Sequence, residues 1–194
     1  MIDGLTVGGF VTKKFTDQGR NLTLNNVYIN PFAWQVYVAQ SNGFPVSITN
    51  STINELAAFT NGIVNISDST LQLAVTGAVG PGSKMAINNT QIWSGTILDI
   101  YGGKMNITNS HIHGNYISAS GVGSNITMTN VIESRNGISP QSCAPVGGYP
   151  PNNNGVPLCN PFNPLYQCSQ VTAAGGATIT ASSKLTCSLI TRRR

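Results

Sequence analysis

A unit of about 20 residues recurs along the first 130 residues of the chain. Each unit alternates apolar and polar residues over four positions and then carries Asn or Asp, a position that we call the anchor. Successive anchors are separated by 24, 18, 21, 20 and 21 residues; they are Asn26, Asn50, Asp68, Asn89, Asn109 and Asn130. A short repeat whose alternation breaks at one fixed point predicts one coil of a solenoid.

The repeat predicts an all-β fold, a right-handed parallel β-helix of about seven coils. Alternation points two side chains of each strand inward, and Asn or Asp suits the following corner because both tolerate a left-handed backbone. A further apolar stretch and a Gly-rich turn complete each coil. Stacked coils then place the six anchors in a ladder along one corner, at the strand spacing of ~4.8 Å. The alternative is a β-sandwich, but its turns recur every ~8–12 residues and it does not require one residue type at one corner.

The composition is typical of a secreted β-rich protein. Only 8% of the residues are charged, and 22 Asn, 19 Thr and 18 Ser supply the polar surface. The net charge of +4 comes from scattered residues and from Arg192–Arg194, so nucleic-acid binding is not expected. No apolar run approaches the ~18 residues that span a bilayer. Met1–Gly4 does not resemble a signal peptide, which suggests a removed signal or a segment of a longer protein.

Residues 139–194 have a different character from the coils of residues 1–138. Seven prolines interrupt residues 139–170. All four cysteines lie within residues 139–194: Cys143, Cys159, Cys168 and Cys187. Their spacing matches no metal motif, so neither a metal nor another cofactor is expected. Two disulfides are predicted, with three possible pairings. We expect a Pro- and Cys-rich loop and then a final coil or cap in the same domain, because an open solenoid end exposes unpaired strands.

Six Asn-x-Ser/Thr sequons occur, at Asn21, Asn50, Asn65, Asn88, Asn106 and Asn125. A repeat rich in Asn and Thr generates such triplets without selection for glycan. Asn65, Asn88 and Asn106 fall at outward strand positions and, with Asn21 and Asn125, are candidates for N-glycosylation in a secretory host. The anchor Asn50 is predicted to point inward and to remain unmodified.

The sequence contains no convincing catalytic set. Its six acidic residues fall in different coils and at different phases of the repeat, whereas glycoside hydrolysis needs a pair of carboxylates. The candidate ligand-binding residues instead lie two and four positions beyond the anchors: Gln91, Trp93, His111 and His113. An exposed indole stacks on a sugar ring while amides bond its hydroxyl groups. The alternative is that Trp93 packs under a loop and the histidines are solvated turn residues.

The repeat resembles the parallel β-helix repeat family, the pectate-lyase-like superfamily, whose units read like residues 125–138. The resemblance covers roughly residues 1–138. That family includes pectate-lyase-like, polygalacturonase-like and alginate-modifying enzymes, phage tailspikes and bacterial adhesins, so it implies an architecture and several functions.

These observations predict a non-catalytic extracellular module of a cell or virion surface, for adhesion, glycan contact or assembly. Its expected partners are glycans or other surface proteins, with a homo-oligomer or lateral assembly as a further option. One alternative is a carbohydrate-active enzyme, either a polysaccharide lyase or a glycoside hydrolase, or a fragment of one. The other is a purely structural filament or virion subunit.

Overall fold

The computed structural model describes residues 1–4, 6–7, 11–13, 21–29, 36–38, 43–53, 56–72, 75–93, 96–112, 116–136, 141–142, 156–157, 170–181 and 186–190. The regular elements in these ranges are all β-strands, numbered here in chain order, and they form three sheets. Sheet 1 contains, in spatial order, β1 (Ile2–Asp3), β4 (Leu22–Asn25), β7 (Val46–Thr49), β10 (Ile63–Ser67), β13 (Lys84–Asn88), β16 (Lys104–Thr108), β19 (Asn125–Thr129) and β24 (Thr178–Ala181).

Sheet 2 contains β2 (Thr6–Val7), β5 (Tyr28–Ile29), β8 (Thr52–Ile53), β11 (Thr70–Gln72), β14 (Gln91–Trp93), β17 (His111–Ile112), β20 (Ile132–Asn136), β25 (Thr186–Ile190) and β21 (Gln141–Ser142). Sheet 3 contains β22 (Val156–Pro157), β23 (Gln170–Ala174), β18 (Tyr116–Ser120), β15 (Thr96–Ile100), β12 (Val75–Val79), β9 (Leu56–Ala58), β6 (Val36–Val38) and β3 (Val11–Lys13). Within the described ranges, no helix is long and apolar enough to cross a membrane.

The coils stack in parallel, with equivalent residues of the repeat side by side. Val64 lies beside Val46 on one neighbouring strand and beside Met85 on the other, and Met85 lies beside Met105. The chain is therefore a parallel β-solenoid, which confirms the predicted fold class. Sheet 1 has eight strands. The four central coils, residues 46–58, 63–79, 84–100 and 104–120, each contribute one strand to every sheet.

Columns of similar apolar side chains fill the interior. The second inward position of sheet 1 forms one column, with every member at most 2% exposed: Leu24, Ile48, Ile66, Ile87, Ile107 and Met128. The apolar residues three positions after the first five anchors form a second column and are fully buried, as the repeat predicts: Ile29, Ile53, Leu71, Ile92 and Ile112. Each coil buries these side chains chiefly against the coils above and below it, so one coil alone has no core.

The six anchors line the corner between sheets 1 and 2, as predicted. Their φ angles lie between 46° and 52°, in the left-handed region. The residues before them are aligned from coil to coil: Asn25, Thr49, Ser67, Asn88, Thr108 and Thr129. Asp3 pairs with Asn25, which places Gly4, with φ of 64°, at the anchor position of the first coil. The repeat pattern missed this anchor because glycine adopts the same backbone without being Asn or Asp.

Anchor amides form a ladder with one polarity, in which the side-chain N–H donates toward the preceding coil. In two bonds the acceptor is the anchor of the preceding coil: Asn89 Nδ2 donates to Asp68 Oδ1 (2.6 Å) and Asn130 Nδ2 to Asn109 Oδ1 (2.8 Å). In the other two the acceptor is the Asn just before that anchor: Asn50 Nδ2 donates to Asn25 Oδ1 (3.2 Å) and Asn109 Nδ2 to Asn88 Oδ1 (3.1 Å). The side chain of Asp68 has no N–H group to donate. The side-chain series is therefore interrupted between Asp68 and Asn50.

The prediction that Asn50 points inward is wrong. Asn50 is exposed, as are the other five anchors, and the residue after it, Ser51, is the buried one. The left-handed backbone at the anchor turns the chain into sheet 2, so the anchor side chain lies along the outside of the corner.

A second ladder, made of hydroxyl groups, lies inside the same corner. Its members follow four of the anchors and are 1–6% exposed: Ser51, Ser69, Thr90 and Ser110. Each hydroxyl donates to the carbonyl oxygen two residues earlier, at 2.6–2.8 Å. Three of them accept a bond from a backbone N–H of an adjacent coil: Val27 N to Ser51 Oγ, Ser51 N to Ser69 Oγ and Thr90 N to Ser110 Oγ, at 3.0–3.1 Å. Backbone groups at the buried side of the turn thereby keep hydrogen-bond partners.

The Pro- and Cys-rich segment is inserted within one coil. Residues 137–169 separate β20 of sheet 2 from β23 of sheet 3, and β23, β24 and β25 then continue the three sheets. The strand at residues 178–181, β24, lies beside β19. Within the insertion, β21 pairs with β25 and β22 pairs with β23, both antiparallel. These two short strands end the parallel stacking of sheets 2 and 3.

The two predicted disulfides stay a prediction. Cys187 lies in β25, whereas Cys143, Cys159 and Cys168 lie outside the described residues.

Candidate functional site

The outward face of sheet 2 carries the residues two positions beyond the anchors. Gln91 lies in register between Thr70 and His111, and Thr52 lies between Thr70 and Tyr28. In each strand the following residue belongs to the buried apolar column. Successive side chains of a strand point to opposite faces, so the residues two positions beyond the anchors point outward. Among the described residues these positions form a row along the solenoid axis that runs from Tyr28 to His111.

Trp93 lies on this face, two residues after Gln91 in β14. Its side chain is 44% exposed, whereas its neighbour Ile92 is fully buried. The register places Trp93 beside Gln72 of the preceding coil. A side chain with this exposure does not belong to the core. The candidate residue His113 lies outside the described residues, so its part in this face stays a prediction.

His111 is partly buried, and this burial lowers the pKa of its imidazole below the usual value. The ring is therefore mostly neutral at pH 7 and offers one N–H donor and one nitrogen acceptor. Together with Gln72, Gln91 and Thr70, it gives this part of the face hydrogen-bonding groups without net charge. Such a surface suits a ligand rich in hydroxyl groups better than it suits an ion.

A polar hollow of about 490 Å³ adjoins the row at the corner between sheets 1 and 2. It spans three coils and is lined by Asn50, Ser51, Thr52, Asp68, Ser69, Thr70, Asn89 and Gln91. Three of the anchors, which the repeat pattern assigned only to the ladder, also border this hollow. Their outward position, which the repeat pattern did not reveal, was the missing information.

The described carboxylates do not form a hydrolytic pair. Among the acidic residues whose side chains are described, Asp3 and Asp68 both lie at the anchor corner. They are three strand spacings apart, about 14 Å, whereas glycosidases hold their two carboxyl groups about 5–9.5 Å apart. Among the described residues, no group of three or more His, Cys, Asp or Glu is arranged to hold a metal ion.

The candidate glycosylation residues lie at the surface. Asn21, Asn65, Asn88 and Asn106 are exposed, and Asn125 is partly exposed. Asn88 also serves the corner, because its Oδ1 accepts bonds from Thr108 Oγ1 and Asn109 Nδ2. Modification of these residues stays a prediction.

The stacked coils, whose parallel strands form three sheets, define the chain as a parallel β-solenoid. No protein-family model, no curated protein and no solved structure matches it.

Proposed function

We propose that this protein is a non-catalytic glycan-binding module of an extracellular, cell or virion surface, used for adhesion. The observation that carries the proposal is the exposed Trp93 beside a row of uncharged hydrogen-bonding side chains on sheet 2. The indole would stack on the apolar face of a sugar ring. Gln72 and Gln91 would bond the hydroxyl groups of the same or the next residue.

The geometry of the solenoid supports a linear glycan as the ligand. Coils at a spacing of ~4.8 Å present equivalent positions in a straight row, and a saccharide chain laid along this row meets a new side chain at each coil. The strands fix the backbone from which these side chains project, so binding would not require the ordering of a backbone segment. The repeat also supports the proposal that the chain is related to the pectate-lyase-like superfamily.

Replacement of Trp93 with Ala tests the proposed site. We expect binding on a glycan array to be lost while the melting temperature changes little, because an exposed indole contributes mainly to the ligand contact. A buried Trp would instead cost about 3–5 kcal/mol of stability on truncation. The matched control is Tyr101→Ala, which removes a 68% exposed aromatic side chain from the turn between sheets 3 and 1.

Retained binding by the Trp93→Ala protein, or equal loss in the Tyr101→Ala protein, would contradict the proposed site. Release of shortened saccharides from a polysaccharide by the wild-type protein would contradict the non-catalytic assignment.

Thiol titration tests the proposed oxidising location. We expect the unfolded, unreduced protein to show no free thiol, because Cys143, Cys159, Cys168 and Cys187 would form two disulfides. The same sample after reduction provides the control and should show all four thiols. Two or more free thiols before reduction would argue against an extracellular setting.

A further inference from the structure

Two lysines are stacked on the outward face of sheet 1. Lys84, the first residue of β13, pairs in register with Lys104, the first residue of β16, and both side chains are exposed. Ile63 and Asn125 continue this column on either side. Like charges placed directly opposite each other on neighbouring strands are destabilising. Among the described acidic side chains, Asp3 and Asp68 lie at the other end of the strands, at the anchor corner.

A hollow lies beside the lysine pair. Ala86 is two residues after Lys84 on the outward face, and it is flanked in register by Asn65 and Asn106. The small methyl group between two longer amides forms part of a depression of about 470 Å³. Thr127 borders it on the next coil. Cationic groups at one side, amides and a hydroxyl at the other, and a small residue between them make a cradle for a polar anion.

We propose that this lysine face, formed by Lys84, Ala86, Lys104 and Asn106, binds the carboxylate or sulfate groups of an acidic polysaccharide. The two ammonium groups would neutralise anionic groups on the chain, and the repulsion between them would fall on binding. Asn65, Asn106 and Thr127 would bond neighbouring hydroxyl groups. This site lies on another sheet from Trp93 and selects for charge, so it goes beyond the proposed function.

A polysaccharide fits this face better than a nucleic acid does. Surfaces that bind single strands combine cations with aromatic side chains on which bases stack. The outward positions around the lysine pair are instead aliphatic, amide or hydroxyl groups, namely Ile63, Asn65, Ala86, Asn106, Asn125 and Thr127. These groups suit sugar hydroxyls, while the cations suit an acidic substituent.

The test is titration calorimetry with dextran sulfate, polygalacturonate and uncharged dextran at low salt. Asn65 and Asn106 begin sequons on this face, so the protein is produced without N-glycosylation. We expect at least one of the two acidic polymers to bind more tightly than dextran, which has no anionic group for the lysines. The double variant Lys84→Gln/Lys104→Gln should weaken that binding about tenfold or more, because each charge-assisted contact is lost. Added salt should weaken the wild-type complex in the same direction.

Three control variants test whether a loss of binding arises at the lysine face. The other possible causes are a change in net charge, a folding defect and an effect of the sheet 2 face. Lys13→Gln/Lys14→Gln removes the same charge elsewhere and should bind like wild type, as should Lys84→Arg/Lys104→Arg. Trp93→Ala should also leave acidic-polymer binding unchanged. Equal weakening by the two Gln double variants, binding to neither acidic polymer, or equally tight binding of single-stranded DNA would overturn the proposal.

Discussion

Replacing Asn109 with Val is expected to lower the free energy of unfolding by about 2–4 kcal/mol. Asn109 has a φ of 49°, where a β-branched side chain is strongly disfavoured. Val also removes the bond from Asn109 Nδ2 to Asn88 Oδ1 and the acceptor of the bond from Asn130 Nδ2. Chemical denaturation of the two proteins measures the difference.

The matched control for this prediction is Asn109→Gly. Glycine already occupies the anchor position of the first coil, at Gly4, and adopts the left-handed backbone without strain. This variant loses the same two ladder bonds, which are exposed to solvent, so its destabilisation should be less than half that of the Val variant. Equal losses in the two variants would mean that backbone strain is not the reason for Asn at the anchor.

The second large effect is expected for Ser110→Ala, which should destabilise the protein by about 1–3 kcal/mol. Ser110 is 3% exposed, donates to the carbonyl oxygen of Thr108 at 2.7 Å and accepts from the backbone N–H of Thr90 at 3.1 Å. Alanine fills nearly the same volume but leaves a buried N–H without its acceptor. The loss therefore measures the hydroxyl ladder.

The control is Ser110→Thr, which keeps the hydroxyl. Thr90 occupies the same column one coil away, so the added methyl group has a precedent there. We expect the Thr variant to unfold close to the wild-type denaturant midpoint. If Ser110→Ala unfolds there as well, the inner hydroxyl ladder contributes nothing measurable to stability.

The two proposed binding faces differ in chemistry, and this difference predicts independent ligands. Among the described residues, the sheet 2 face around Trp93 carries uncharged hydrogen-bonding groups, and burial keeps the His111 pKa low. The sheet 1 face carries the stacked Lys84 and Lys104. Variants of one face should therefore leave the ligand of the other unaffected. Salt should weaken only the lysine face, since screening acts on charges.

Much of the fold was predictable because each local feature of the repeat has a direct conformational meaning. Alternation identified the inward residues of sheet 1, and the residue three after the anchor identified those of sheet 2. Two exceptions concern the anchors. Gly4 replaces Asn at the first corner, because glycine adopts the same backbone. The Asn50 side chain, which we expected inside the corner, lies outside it. The candidate site was predicted only in part, since exposure of Trp93 depends on what packs beside it.

The sequence by itself determined the repeat, the left-handed corner and the composition of each column, because these depend on near neighbours along the chain. Only the tertiary structure decided which residues of different coils meet. Register between coils places Lys84 beside Lys104, aligns Gln72 with Trp93 and joins Thr90 to Ser110. Counting from the anchors gives these residues equivalent positions in the repeat, but it does not show that equivalent positions pair across coils. The pairs follow from in-register strand pairing, in which every coil takes its alignment from the hydrogen bonds of the coil beneath it.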